Sequence, residues 1–295
     1  MSGNPFGDED IAVVSLATHL VNGAITAKEW QREISLGLTR QEFILHYQPK
    51  VNMRAGTVVG FEALIRWQHP QQGLLQPAAF IPWIEDHESI EQLGDWVVGQ
   101  AIRQSDEWRA TGLRTSIAAN VTPRHLLCPD FIERLTDHLQ AAPRLHAGAL
   151  ELEIAETSVI ADWGQARRVI NSCKDMGVAV ALDDFGTGYT SLIELRELPV
   201  TVLKLDQSLV MGVVDGKADK ALVEGLVLMT KRLGINLIAE GVETQAQGIA
   251  LMALGCTFGQ GFAIACPMPP TDVPGWTALY ERTPLWGRDQ TFPAS

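Results

Sequence analysis

Eight polar residues stand at or just beyond the ends of predicted strands, and their spacing suggests one shared site. They are Glu62, Asn120, Glu153, Asp183, Asp184, Lys204, Glu240 and Gln260. From Asn120 onward, with the two aspartates taken as one position, the separations are 33, 30, 21, 36 and 20 residues, about one strand-plus-helix unit each. Because the carboxyl ends of the strands of a β/α barrel meet at one mouth, we expect these side chains to converge there.

The chemistry of such a cluster would be that of bound metal ions. Carboxylates that converge repel one another unless cations neutralise them, and oxygen-only ligands favour hard ions such as Mg²⁺ or Mn²⁺. The adjacent Asp183 and Asp184 suggest two ions that share a bridging carboxylate. Two ions about 4 Å apart suit in-line displacement at phosphorus, because they activate the attacking water and neutralise the charge of the phosphate.

Single residues of this set also have purely structural interpretations. Asp184, in the sequence DDFGTG, could cap a turn, and Asn120 could be a turn former. Glu153 could form a salt bridge with Lys204 without any metal. Their joint occurrence at successive strand ends favours the metal site. The sequence motifs of serine hydrolases, zincins and P-loop NTPases are absent.

The composition indicates a folded chain that must build any phosphate site locally. The chain has 295 residues, of which 46% are hydrophobic, and a formal net charge of -12. This acidic balance argues against broad binding of polymeric nucleic acid or of anionic membranes.

The cysteines and the N-terminal residues favour a reducing, cytoplasmic location. The four cysteines form no C-x-x-C pair, so neither a zinc site nor a disulfide framework is predicted. The first ten residues contain three acids and no Lys or Arg, unlike a secretory signal. The apolar stretch from Ile11 to Ala17 is too short to span a bilayer, so no membrane insertion is expected.

From Phe43 onward, short β-rich runs alternate with longer helical patterns, which is typical of βα units around a parallel sheet. The predicted strands cover residues 43–48, 58–65, 115–120, 150–154, 178–182, 202–205, 236–239 and 258–263. The predicted helices cover residues 90–110, 130–140, 164–176, 218–233 and 245–254. Gly177, Gly234 and Gly255 are expected to end three of these helices.

Three segments are predicted along the chain. Residues 1–40 form an N-terminal helical extension, with helix-compatible runs at 11–20 and 28–38, residues 41–285 form the barrel, and residues 286–295 form a tail. The extension could be a linker from an upstream domain or a helix that caps the barrel, and the sequence leaves both alternatives open.

Ordered motifs from about Phe43 to Pro270 resemble the EAL family of cyclic di-GMP phosphodiesterases. The signature stands as Glu62-Ala63-Leu64 within FEALIRW. The further motifs are YQP from residue 47, NVT from 120, ELEIAET from 151, LDDFGTGYTSL from 182, LKLD from 203, AEGVET from 239 and GQGF from 259. A G-G-D-E-F motif, which synthesis of the messenger would require, is absent.

The resemblance implies an α/β fold, a (β/α)8 TIM-like barrel whose first strand runs antiparallel to the others. It also implies two-metal hydrolysis of one phosphodiester bond of cyclic di-GMP to linear pGpG. Two Mg²⁺ or Mn²⁺ ions would be the cofactors, and Ca²⁺ would be inhibitory. The implied ligands are Glu62, Asn120, Glu153 and Asp183 for one ion, and Asp183, Asp184 and Glu240 for the other.

The resemblance assigns further roles by position. Lys204 and Glu240 would orient and activate the attacking water, and Gln260 would position phosphate or water. The implied substrate contacts are Gln48, Pro49, Leu64, Arg66 and Gln260. The implied loop supports are Glu156, Gly186, Thr187 and Gly188. Two residues depart from the family pattern, since Thr122 stands where Ser is usual and Cys266 where a basic residue is common.

The same resemblance predicts a homodimer, because the DFGTGYTS loop of residues 184–191 is intact, and it allows an upstream sensory or regulatory domain. One alternative is a catalytically weak cyclic di-GMP receptor that acts by docking a partner. A receptor does not need Lys204 and Glu240 together with a complete set of metal ligands. A barrel enzyme for glycerophosphodiesters is the other alternative, but its usual histidine pair is missing.

Overall fold

The computed structural model describes residues 27–156, 163–186 and 192–286. The predicted run at 11–20 lies outside the described residues. In the described part of the chain, nine strands form one sheet. They are β1 (Phe43–Asn52), β2 (Thr57–His69), β3 (Gly73–Leu75), β4 (Ser116–Asn120), β5 (Leu150–Ala155), β6 (Ala179–Phe185), β7 (Val202–Leu205), β8 (Asn236–Ala239) and β9 (Phe258–Gly259).

Helices alternate with most of these strands. They are α1 (Ala27–Thr39), α2 (Ser89–Ala110), α3 (Pro123–Leu126), α4 (Phe131–Gln140), α5 (Trp163–Asp175), α6 (Leu192–Glu197), α7 (Gln207–Met211), α8 (Lys217–Leu233), α9 (Gln245–Ala253) and α10 (Val273–Arg282). Two short 3-10 helices cover Pro77–Ala79 and Ile81–Trp83. Among the described residues, no helix is both long and apolar enough to span a bilayer.

Eight of the nine strands close into a barrel. Their order is β1-β9-β8-β7-β6-β5-β4-β2, and a pairing between β1 and β2 completes the ring. β1 runs antiparallel to β9, whereas the pairings from β2 through β4 to β9 are parallel. β3 pairs with the end of β2. The predicted barrel with an antiparallel first strand is therefore confirmed.

The described residues form two compact units, a smaller one of residues 27–44 and 65–93 and a larger one of residues 45–64 and 94–286. The smaller unit has an aromatic core around Trp67. The ring centroid of Trp67 lies 5.8 Å from that of Trp30, 4.9 Å from that of Phe43 and 5.5 Å from that of Phe80. Such offset and edge-to-face pairs add to the free energy gained by burying the rings.

The larger unit contains the barrel pairings around the candidate site. Its central strands are buried on both faces, as expected for parallel strands covered by helices, and they read as nearly continuous apolar runs. Charged residues such as Glu153 and Lys204 interrupt these runs. Because burying an unpaired charge is costly, each interruption must be matched by a partner inside the barrel.

Most predicted elements match the observed ones to within a few residues. β7 and β8 have the predicted bounds, and Gly177, Gly234 and Gly255 all have positive φ values after their helices. Positive φ is strained for residues with a Cβ atom, which explains glycine at these helix ends. Four helices, α3, α6, α7 and α10, have no counterpart among the predicted elements, and three of them have six residues or fewer.

The eighth predicted strand was too long, because β9 ends at Gly259 and not at residue 263. Directly beyond β9, Gln260 N still donates to Ala239 O on β8 at 2.9 Å, but the backbone then bonds to Val242. Val242 N donates to Gln260 O, and Ala263 N donates to Val242 O, each at 3.0 Å. A Cβ atom on Gly261 would lie 2.3 Å from Val242 N, so this close approach requires glycine.

Candidate active site

Lys204 on β7 is the centre of a buried ion-pair network. Its side chain is 1% exposed. Its Nζ atom lies 2.6 Å from Glu240 Oε1, 2.7 Å from Glu153 Oε2, 3.1 Å from Asp183 Oδ2 and 3.6 Å from Glu62 Oε2. One ammonium group therefore contacts four carboxylates.

The barrel brings these carboxylates together because they come from four different strands. Glu62 lies on β2, Glu153 on β5 and Asp183 on β6, and Glu240 directly follows β8. The last three lie near the carboxyl ends of their strands, where a barrel collects side chains at one mouth. The structure thus places these predicted site residues around Lys204.

Amide side chains complete the surroundings of Glu62. Asn120 Nδ2 donates to Glu62 Oε1 at 2.7 Å, and Gln260 Nε2 donates to Glu62 Oε2 at 2.6 Å. Gln260 Nε2 also lies 3.1 Å from Gln48 Oε1, and Gln48 Nε2 donates to the carbonyl oxygen of Ala265 at 3.2 Å. The predicted residues Gln48, Asn120 and Gln260 therefore belong to the same network as the carboxylates.

A bulge in β6 places two neighbouring aspartates opposite one residue of β7. Between Leu182 and Phe185 the pairing with β7 shifts register, so Asp183 and Asp184 both stand opposite Lys204. Neighbours in a regular strand point to opposite faces, whereas a bulge can re-aim a side chain. Asp184 has a φ of 57°, in the left-handed region, which is sparsely populated for residues other than glycine.

Lys50 and Glu151 are two residues of this network that were missing from the predicted site. Lys50 Nζ on β1 lies 2.5 Å from Glu151 Oε1 and 3.3 Å from Glu153 Oε1, and both partners lie on β5. The sequence contained a signal, since Glu151 precedes Glu153 by two residues and must share its face of the strand. Lys50 likewise follows the predicted site residue Gln48 by two residues on β1.

Burial is the largest influence on the pKa values of Glu240 and Asp184, the two carboxyl groups nearest the solvent. Burial raises the pKa of Glu240 to about 8, with Lys204 acting against it and Asp183 with it. Burial, followed by the charges of Asp183 and Asp206, raises the pKa of Asp184 to about 6. Both groups would ionise more readily if cations neutralised their surroundings.

The pKa values of the deeper members of the network are shifted in different directions. Burial and then the charge of Glu62 raise the pKa of Glu153 well above its ordinary range. Burial also acts against ionisation of Glu62, but Lys204 and the amide donors outweigh it and lower the pKa of Glu62. For Lys204, burial by itself lowers the pKa, yet the carboxylates led by Glu153 raise it well above its ordinary range.

The chemistry of the donors fits divalent cations. One carboxylate oxygen each of Asp183, Asp184 and Glu240 lie within 4.8 Å of one another, and these residues could hold an ion. When all groups are ionised, the acids Glu62, Glu151, Glu153, Asp183, Asp184 and Glu240 face the two ammonium groups of Lys50 and Lys204. The four excess negative charges correspond to two divalent cations, and oxygen donors suit hard ions.

The predicted loop supports fall partly within the described residues. Gly186 N donates to Glu156 Oε2 at 3.3 Å, which ties the end of β6 to the residue that follows β5. Thr187 and Gly188 lie outside the described residues. Thr122, which replaces the usual Ser, precedes α3, and its side chain accepts from His125 N. The substitution therefore retains the helix cap.

The remaining predicted substrate contacts lie in both units. Pro49 is buried and Leu64 is half-buried in the larger unit. Arg66 belongs to the smaller unit, where its Nη1 atom donates to the carbonyl oxygen of Ile65 at 2.8 Å. Cys266, in place of a basic residue, is exposed. Contacts of these residues with a substrate stay predictions.

Fold and site together define a β/α-barrel protein with a buried lysine and an acidic cluster suited to metal ions. The model of the family described as "EAL domain" matches residues 29–267, so the chain belongs to the EAL domain family.

Known relatives and a solved structure agree with this assignment. A cyclic di-GMP phosphodiesterase of Pseudomonas aeruginosa is 36% identical over 238 residues, which cover 81% of this chain and 40% of that protein. The cyclic di-GMP phosphodiesterase PdeR of Escherichia coli is 35% identical over 243 residues, which cover 82% of this chain and 36% of PdeR. The structure of the phosphodiesterase PaMucR in complex with c-di-GMP has a TM-score of 0.78 and 35% identity, and covers 83% of this chain and 99% of that one. The chain thus spans about 40% or less of the length of these two curated relatives.

Proposed function

We propose that this chain hydrolyses one phosphodiester bond of cyclic di-GMP to linear pGpG. The observation that carries the proposal is the convergence of four carboxylates on the buried ammonium group of Lys204. The names of the relatives support the choice of substrate. A receptor needs contacts with the nucleotide, but it has no need of Lys204 and Glu240 beside an acidic cluster.

Two Mg²⁺ or Mn²⁺ ions are the proposed cofactors. The proposed ligands are Glu62, Asn120, Glu153 and Asp183 for one ion, and Asp183, Asp184 and Glu240 for the other. When bound, such ions lower the pKa of water and neutralise charge on the phosphate. Ca²⁺ is proposed to bind these oxygen donors without supporting turnover, because its coordination is larger and more flexible.

The protein's own groups would move the proton and stabilise the charge. Glu240, which contacts Lys204 and belongs to the carboxylates that could hold an ion, is the proposed base for water. Lys204 holds Glu240 Oε1 at 2.6 Å and would stabilise negative charge that develops on the phosphate. Gln260 would orient phosphate or water through its amide group.

Four further residues are proposed to contact the substrate. Gln48 is buried and bonded to Gln260, so its amide group lies beside the site. Arg66 is proposed to supply a cation for a phosphate, because guanidinium groups bind phosphate oxygens in pairs. Pro49 and Leu64 are proposed to contact the nucleotide through apolar atoms.

The decisive test is a turnover assay with purified chain, cyclic di-GMP and Mg²⁺, with and without EDTA, in which pGpG is separated by chromatography. We expect pGpG to form with Mg²⁺ and to vanish with EDTA. Glycerophosphodiesters serve as control substrates and should remain intact. Tight binding of cyclic di-GMP without pGpG in either Mg²⁺ or Mn²⁺ would refute the enzyme and support the receptor.

A homodimer, an upstream sensory or regulatory domain and a cytoplasmic location complete the proposal. On α8, Leu222 and Leu228 are 54% and 58% exposed, and the exposed Gly225 lies between them. Exposed apolar residues on a helix can serve as contacts with another protein, and a second copy of this chain is the partner proposed here. An upstream domain is consistent with the greater length of the relatives.

A further inference from the structure

A second buried lysine lies inside the barrel next to the candidate site. Lys50 is 2% exposed, and its Nζ atom lies between Glu151 Oε1 at 2.5 Å and Glu153 Oε1 at 3.3 Å. Glu153 gives its other oxygen, Oε2, to Lys204 at 2.7 Å. The four side chains therefore form a continuous series of alternating charge, Glu151, Lys50, Glu153 and Lys204. In this series Glu153 is held at both oxygens.

The strand periodicity places Lys50 and Glu151 one layer deeper than the mouth of the barrel. Residues two apart share a face of a strand. Glu151 precedes Glu153 on β5, whereas Lys50 follows Gln48 on β1, which runs in the opposite direction. Both steps lead away from the mouth. Lys50 therefore contacts Glu153, a proposed metal ligand, from the deeper layer of the barrel.

The carboxylate of Glu153 needs such an anchor because its last torsion is soft. The terminal torsion of a glutamate side chain is broad and roughly two-fold, so a carboxylate held at one oxygen can still rotate. Lys50, which lies one layer deeper in the barrel, contacts Oε1 of Glu153, while Oε2 faces Lys204. The Lys50 stem passes near Gly60, where an added Cβ atom would lie 3.5 Å from Lys50 Cε.

We propose that Lys50 is a positioning residue of the metal site, which acts by orienting Glu153, and that Glu151 is its counter-ion. This inference rests on the proposed function, because it takes Glu153 as a metal ligand. Groups that orient metal ligands from behind typically change metal affinity about 10- to 100-fold when they are removed. Glu151 balances the charge of Lys50, so that the anchor adds no net positive charge to a site for cations.

The competing explanation is that the Lys50–Glu151 pair only stabilises the barrel. Buried ion pairs often contribute little net stability, because desolvation offsets their attraction, and apolar replacements of both partners are frequently neutral or stabilising. A pair with a purely structural role could thus be replaced without any change in metal affinity. The two explanations differ in the affinity for metal and not in the melting temperature.

The test is the double variant Lys50→Met with Glu151→Met. It removes one positive and one negative charge, so the net charge near the site is unchanged while the anchor of Glu153 is lost. Calorimetry with Mn²⁺ alone, without nucleotide, should show affinity about 10-fold or more below that of the unsubstituted chain. Lys50→Met with Glu151→Gln serves as a second double variant with the same charge balance and should show the same loss.

Leu135→Ala is the matched control, because Leu135 is buried on α4 and takes no part in the network. It should lower the melting temperature in EDTA and leave the Mn²⁺ affinity within about two-fold. Unchanged Mn²⁺ affinity in a folded double variant would overturn the positioning role. Absence of Mn²⁺ binding by the unsubstituted chain would instead refute the metal-dependent function on which the inference rests.

Discussion

Lys204 Nζ lies 2.6 Å from Glu240 Oε1, and the two residues come from the carboxyl ends of neighbouring parallel strands. Leu205 pairs with Ala239 in this part of the sheet. Lys204 precedes Leu205 and Glu240 follows Ala239, so the pairing of the two strands brings the charged residues close together. The contact joins a group whose pKa is raised by the carboxylates around it to one whose pKa is raised by burial. Substitutions of Lys204 and of Glu240 therefore test charge stabilisation and proton transfer separately.

Substitution of either residue should impair turnover far more than binding. We expect Glu240→Gln and Lys204→Ala each to lower kcat about a hundredfold or more, in the range of groups that accept protons or stabilise charge. The affinity for cyclic di-GMP should stay within a few-fold, because proton transfer and charge stabilisation act in the transition state, and Asp183 and Asp184 remain as proposed ligands of the second ion. Chromatography of pGpG in Mg²⁺ gives kcat, and calorimetry in Ca²⁺ gives the affinity.

Matched substitutions on the surface control for loss of charge alone. Lys231→Ala and Glu224→Gln alter exposed residues of α8 and should leave kcat within about two-fold, as is usual for such sites. If Lys204→Ala abolished binding while saturated turnover remained unchanged, Lys204 would be a substrate anchor, and the proposed mechanism would be wrong.

Asp183→Asn should fail in a different way, by loss of metal. Asp183 contacts Lys204 and belongs to the group that could hold an ion, so a neutral amide there removes a shared anionic ligand. We expect Mn²⁺ affinity, metal-dependent binding of cyclic di-GMP and turnover to fall together. Asp215→Asn, at an exposed position before α8, is the control. Normal Mn²⁺ affinity in Asp183→Asn would show that Asp183 is not a ligand.

Calcium should separate binding from chemistry in the unsubstituted chain. Its flexible coordination with six to eight oxygens can satisfy the carboxylates but not the tighter geometry that Mg²⁺ or Mn²⁺ imposes on an attacking water. After stringent removal of metal, we expect Ca²⁺ to support binding of cyclic di-GMP without pGpG formation. Mg²⁺ should then restore turnover. Comparable rates in Ca²⁺ and Mg²⁺ would contradict the proposed metal geometry.

The raised pKa of Glu240, about 8, predicts how the stability of the metal-free protein depends on pH. Between its ordinary carboxyl pKa of 4.5 and about 8, the folded protein keeps a proton that the unfolded chain has lost. Rising pH therefore favours unfolding across this window. Asp184, with a pKa raised to about 6, acts in the same direction over a narrower range.

Thermal unfolding in EDTA measures this effect directly. The melting temperature should fall between pH 6 and pH 8, and Mg²⁺ should raise it more at pH 8 than at pH 6, because protons compete with the ion for the carboxylates. Glu240→Gln removes the titrating group and should flatten the profile in EDTA. A melting temperature in EDTA that rises with pH over this range would show that the pKa of Glu240 is not raised.

The proposed homodimer can be tested on α8. Leu222→Glu with Leu228→Glu places two charges on the exposed face, and we expect sedimentation to show a shift from dimer to monomer. Leu279→Glu, at an exposed position of α10, is the matched control and should leave the dimer intact. A monomer of the unsubstituted chain at micromolar concentration would contradict the proposed homodimer.

The sequence by itself determined where the site residues lie along the chain. Lys204 and Glu240 were predictable because parallel strands of a barrel deliver their carboxyl ends to one mouth, so a regular spacing of polar residues in the chain becomes proximity in space. The strand bounds of β7 and β8 followed from compact apolar runs, and the helix ends at Gly177 and Gly234 followed from the backbone freedom of glycine.

Only the tertiary structure decided which charges pair inside the barrel. Lys50 and Glu151 are 101 residues apart, and nothing local distinguishes an inward-facing charge on β1 from an exposed one. Their pairing depends on the strand order and register, which let side chains of β1 and β5 meet inside the barrel. The bulge that sets Asp183 and Asp184 opposite Lys204 likewise depends on pairing with β7. Such contacts depend on the closed sheet. The sequence of one strand determines which residues share a face, but not which residues of other strands that face contacts.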